Sequence, residues 1–100
     1  MIKKFPTQIR VSRGKLYEVH WTQAFPNDPK KVGECHPVSR VITLKLNESE
    51  EDTWWTLFHE IVHAINFEAE LGLTEKQVTR LEKSLVSIFR SLGWKMGGSK

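Results

Sequence analysis

His59, Glu60 and His63 are the residues whose types and spacing could do chemistry. Side chains four apart on a helix share a face, so the two imidazoles aim at a single point, where a zinc ion can be held. Glu60 lies one step off that face, where a carboxylate can reach a water on the metal and take its proton. The pattern is that of a zinc hydrolase. The bland alternative is a pair of solvated surface histidines. Against it stand Glu60 itself and the apolar pair Ile61-Val62, both of which the motif requires.

A catalytic zinc site takes three protein ligands and leaves a position open, so the third ligand decides the type of enzyme. No histidine follows His63 and no aspartate follows Asp52, which leaves Glu68, Glu70, Glu75 and Glu82 downstream. Glu68 points back toward the core side of its helix. Glu70 shares the strip of the two histidines but stands roughly 10 Å further along the axis at 1.5 Å per residue. Glu82 sits among Val78, Leu85 and Val86 in an apolar stripe, where a carboxylate is costly unless it is paired or binds metal. Across an antiparallel hairpin turning near Gly72 it also comes level with His63. Glu82 is therefore the expected third ligand. Glu75, at the first turn of the second helix, is the alternative, followed by an upstream histidine.

Two helices must position these groups. Ser49 with Asp52 three residues on, inside the acidic run Asn47 to Asp52, predicts a helix start. Trp54, Leu57, Phe58, Ile61, Ile65 and Ala69 then recur at three- and four-residue spacing as a core-facing stripe, and Gly72 supplies a stop. His59 and His63 project away from that stripe, alongside Thr56, Asn66 and Glu70. Thr74 and Gln77 form a second capping box. Val78, Leu81, Leu85, Ile88, Phe89 and Leu92 trace the apolar face that follows, before Gly93.

The run from His59 to Ile65, a Gly-containing turn and then Leu81-Glu82 resembles the small gluzincin-type metallopeptidases often encoded by phages and prophages. The likeness spans about Val32 to Leu92. It implies zinc held by His59, His63 and Glu82, Glu60 as general base, and a peptide or protein substrate. It also implies that an extended peptide adds to a strand just before the active-site helix, here Val41 to Leu46. Larger relatives carry a tyrosine or histidine that steadies the oxyanion, for which Tyr17, His20 and His36 qualify by residue type.

Ahead of the helices the period changes to two. Ile9 and Val11, then Tyr17, Val19 and Trp21, then Ile42, Leu44 and Leu46 alternate with polar residues, predicting three strands. Arg13-Gly14-Lys15 is a turn signal, and Phe25 to Pro29 opens a longer loop. A sheet packed on a two-helix antiparallel hairpin gives an α+β architecture, which the resemblance makes a small zincin-like domain. One hundred residues with 39% apolar content suit one small domain over residues 1–95, with a mobile tail from Met96 to Lys100.

No run approaches a membrane span or a signal peptide, and the single Cys35 precludes an internal disulfide, so a cytoplasmic location is expected. The charge of +3 leaves a nucleic-acid partner open. With lysines scattered from Lys3 to Lys100 and no recognition motif, a solvated surface is the better reading. The competing functional class is a binding protein that keeps the scaffold with metal in a structural role, for which His36 would be a fourth ligand.

Overall fold

The structure is a computed structural model that describes residues 5–46 and 49–93. Four strands form one sheet, namely β1 (Gln8–Val11), β2 (Lys15–Thr22), β3 (Gly33–His36) and β4 (Val41–Lys45), followed by α1 (Glu50–Glu68) and α2 (Glu75–Ser91). The α+β class is as expected, with one strand more than the alternating pattern predicts. The extra strand is β3. Its residues Gly33, Glu34, Cys35 and His36 carry no β-branched or aromatic side chain, so nothing in their composition reads as a strand.

The strand order is β1-β2-β4-β3, with β2 and β4 parallel and the other pairs antiparallel. Parallel neighbours need a crossover, and here it runs through residues 23–40 and includes β3 at the sheet's edge. Alternate side chains of the central strands, Tyr17, Val19, Ile42 and Leu44, point to one face and are buried with Leu57 and Ala64 of α1. The turn between β1 and β2 falls where Arg13 and Gly14 take left-handed backbone angles, φ 59° and 73°. A second tie joins sheet to helix: the Tyr17 hydroxyl donates to Glu68 at 2.8 Å, and Arg40 Nε donates to the same oxygen at 3.0 Å.

α1 begins as its sequence demands, with Ser49 Oγ accepting the Asp52 N–H at 3.2 Å and Glu50, Glu51 and Asp52 in the positive first turn. Trp54, Leu57, Ile61 and Ile65 pack on the sheet. Phe58 turns to α2 instead, stacking on Phe89 with centroids 5.6 Å apart. After Glu68 the chain reverses through left-handed Glu70 and Gly72. The Asn66 side chain clips this turn by accepting from Leu73 N–H at 2.9 Å and donating to its carbonyl at 3.2 Å.

α2 opens with the full Thr74/Gln77 capping box. Its buried line is Val78, Glu82 and Val86, four apart, because α2 rests chiefly on α1. The expected apolar face is corrected on this point: Leu81, Ile88 and Leu92 face outward, with Ile88 53% and Leu92 75% exposed. No helix among the described residues is long and apolar enough to cross a membrane. Asn47, Glu48 and the tail Met96 to Lys100 lie outside the described residues.

Candidate metal centre

The helical spacing does what it promises: His59 Nε2 and His63 Nε2 converge to 3.2 Å on one side of α1. Between them reaches Glu75 from the first turn of α2, its two carboxylate oxygens 2.7 Å from His59 Nε2 and 3.0 Å from His63 Nε2. Donors bound to one zinc ion at about 2.0–2.1 Å in a tetrahedral arrangement stand about 3.3 Å apart, close to the spacing found. His59, His63 and Glu75 are thus a donor set of the right types and separation for such an ion.

Glu82, the residue expected there, occupies a different place. Its Oε1 lies 2.8 Å from His59 Nδ1, on the far side of the imidazole from Glu75. The carboxylate accepts a hydrogen bond from Nδ1, which leaves Nε2 as the ring nitrogen that faces His63 and Glu75. A carboxylate behind a histidine is the usual means of fixing the tautomer and ring orientation of a metal ligand. Its burial is explained by that bond, since a buried carboxylate with a partner is no longer an uncompensated charge.

The shift from Glu82 to Glu75 has a local cause. The connection is not symmetric about Gly72, because Asn66 holds Leu73 directly and so sets the start of α2 beside the end of α1. Glu75 is thereby brought level with His63. Glu82, two turns on, comes level with His59.

Glu60 is buried beside this group, and burial pushes its carboxyl up to about 7, with His59 acting in the opposite sense and the charges of Glu75 and Glu34 adding to the rise. Burial on its own would lower His59; the hydrogen bond it donates to Glu82 and the charges of Glu60, Glu75 and Glu82 outweigh it and leave the imidazole above its ordinary value.

The group opens on a cleft of about 520 Å³, with β3 along one side and α1 along the other. Gly33 is what lets strand and helix approach. A Cβ there would stand 2.9 Å from Thr56 Cγ2, 3.0 Å from Leu44 Cδ2 and 3.2 Å from Glu60 Oε2. Neither Gly33 nor its strand is signalled by the sequence pattern. Of the candidate oxyanion groups, Tyr17 is fully buried on Glu68, exposed His20 pairs with Glu18 at 3.0 Å, and His36 pairs with Glu34 at 2.7 Å; none of the three lines the cleft. Cys35 does line it. Burial, with Glu60 and Glu68 nearby, pushes its thiol up to about 12.

The strand expected to receive a peptide, Val41 to Leu46, is also corrected. β4 is paired on both sides, with β2 and with β3, so it has no free edge; the free edge beside the cleft belongs to β3. Comparison with protein-family models, with curated proteins and with solved structures gives no match for this chain.

Proposed function

We propose that the protein is a zinc-dependent peptidase in which His59, His63 and Glu75 hold the ion and Glu60 handles the proton. The observation that carries this reading is the convergence of three donors of zinc-binding type, one of them oriented from behind by Glu82, at the mouth of an open cleft. When bound, the ion acts as a Lewis acid that polarises a carbonyl and acidifies water. Glu60, buried beside the donor set, accepts a proton at its carboxylate and returns it to the departing amine. Glu82 keeps His59 in the tautomer whose Nε2 is free. β3 offers its open edge to the backbone of an extended substrate.

The reading of a binding protein with a purely structural metal calls for a fourth protein donor. Its candidate, His36, is bonded to Glu34.

Zinc titration of the wild type and three variants tests the proposal. The wild type takes up one equivalent. Glu60→Gln keeps that zinc and loses at least about 10² in peptide hydrolysis, as fits a proton-transfer group. Glu75→Gln loses more zinc affinity than Glu82→Gln, for which the roughly 10–100-fold typical of an orienting partner is expected. Absence of zinc uptake defeats the reading. A greater loss in Glu82→Gln would return the third-ligand role to Glu82.

A further inference from the structure

We infer that the enzyme cuts inside polypeptide chains and selects extended segments with large apolar side chains on both sides of the bond. This rests on the peptidase reading above and adds to it the class of substrate. The ground is the shape of the groove. Two depressions share His59 and Glu60 and lead away from them in opposite directions along α1. One passes between Cys35, Pro37 and Phe67; the other, of about 270 Å³, passes between Val32, Trp55 and Thr56. From Thr56 to Phe67 the helix advances about 16 Å at 1.5 Å per residue, room for about five residues of extended chain.

The floor of this groove is built to hold a backbone. Val32 C=O accepts the Lys45 N–H at 2.9 Å, so by the alternation of antiparallel pairing Gly33 and Cys35 turn their N–H and C=O groups to the open edge of β3. The walls at both ends are apolar and accessible, with Phe67 48% and Val32 42% exposed. An enzyme that trims chain ends needs a charged group to take the terminal ammonium or carboxylate. Among the described residues, the carboxylates lining the two depressions outside the cluster of His59, Glu60, His63 and Glu75 are Glu34, already held between Lys31 at 3.0 Å and His36 at 2.7 Å, and Glu82, already bonded to His59 Nδ1 at 2.8 Å. A chain can therefore pass through, its side chains meeting Phe67 on one side of the centre and Trp55 with Val32 on the other.

The test uses an internally quenched octapeptide with Leu and Phe across its central bond, prepared with both termini blocked and with both free. The zinc-loaded wild type should cleave the two forms at rates within about twofold of each other and at the central bond. Replacing Leu-Phe by Ser-Ser should lower kcat/KM by at least about tenfold, the scale of losing apolar pocket contacts. Trp55→Ala and Phe67→Ala should each lower kcat/KM for the apolar peptide about tenfold and shrink its advantage over the Ser-Ser peptide, with zinc content unchanged. Hydrolysis confined to the unblocked peptide, or rates indifferent to side chains and to both substitutions, would overturn the inference. Anisotropy of the blocked peptide with Glu60→Gln separates it from the reading beneath it. Binding that both groove substitutions weaken, with no hydrolysis by the wild type, upholds the groove and defeats the peptidase. Neither binding nor hydrolysis defeats both.

Discussion

At Gly33 a single hydrogen in place of a methyl group lets β3 lie close against α1 and the Glu60 carboxylate. Its would-be Cβ meets Leu44, fully buried and unable to yield, and Glu60 Oε2 at 3.2 Å. Gly33→Ala must therefore push β3 from α1 or displace the Glu60 carboxylate, and overpacking of this kind costs about 1–3 kcal/mol. The expected outcome is a loss of that size in chemical denaturation together with reduced hydrolysis. Adding Thr56→Ser should recover part of both, because it removes the methyl group at 2.9 Å and keeps the hydroxyl that donates to the Asp52 carbonyl. Cys35 gives a second test. Its thiol, held up to about 12 by burial against an ordinary 9.0, is protonated at neutral pH, and only the thiolate reacts. Alkylation at pH 8 should be on the order of 10³ slower than for a free thiol and should climb about tenfold per pH unit up to about pH 11. A plateau near pH 9 would show that the thiol is not buried as described.

Both helices were legible in the sequence because their ends are written in side chains: Ser49 accepts the Asp52 N–H, one half of the expected box, and Thr74 with Gln77 makes the full reciprocal pair. The histidine pair followed from the helical period alone. Two things were not legible. β3 is a strand only because Val41 to Lys45 offers it a partner, so its assignment depends on pairing and not on its own residues. The offset between α1 and α2 is set by the grip of Asn66 on Leu73, and it places Glu75, two turns before Glu82, against the Nε2 atoms of His59 and His63. At this scale the bond from Tyr17 to Glu68 is also decisive, since it joins β2 to the last turn of α1 across 51 positions of sequence. Arg40 and the Tyr17 hydroxyl hold the Glu68 carboxylate below its usual range. Tyr17→Phe removes one of the two supports and should cost about 1.5 kcal/mol, as for hydrogen bonds to charged groups, read as a lower midpoint in urea at unchanged slope.

Taken whole, the molecule is a sheet that carries α1, and α1 in turn carries α2. The second helix is attached along Val78, Glu82 and Val86, by Phe89 on Phe58 and by Arg90 paired with Glu51, while Ile88 and Leu92 stay exposed. An ion shared by His59, His63 and Glu75 would join the two helices beside the bond from His59 to Glu82. Zinc at a hundredfold above its dissociation constant should add about 2.7 kcal/mol, raising the melting temperature of a domain this size by roughly 10–20 °C. Scanning calorimetry with and without a chelator reads this directly, and coincident transitions would count against an interhelical ion. The strand order β1-β2-β4-β3 has one more consequence. Because β2 and β4 pair directly, the excursion that supplies β3 is spliced between two strands that hydrogen-bond to each other without it. Gly33 must stay small against Glu60, Cys35 packs on the core and Arg40 holds Glu68; the rest of this segment can change while the hairpin bearing His59, His63 and Glu75 is left alone. On the proposed reading, one wall of the groove thus lies on a stretch of chain separate from the metal donors, while the other, with Trp55 and Phe67, shares the helix of His59 and His63.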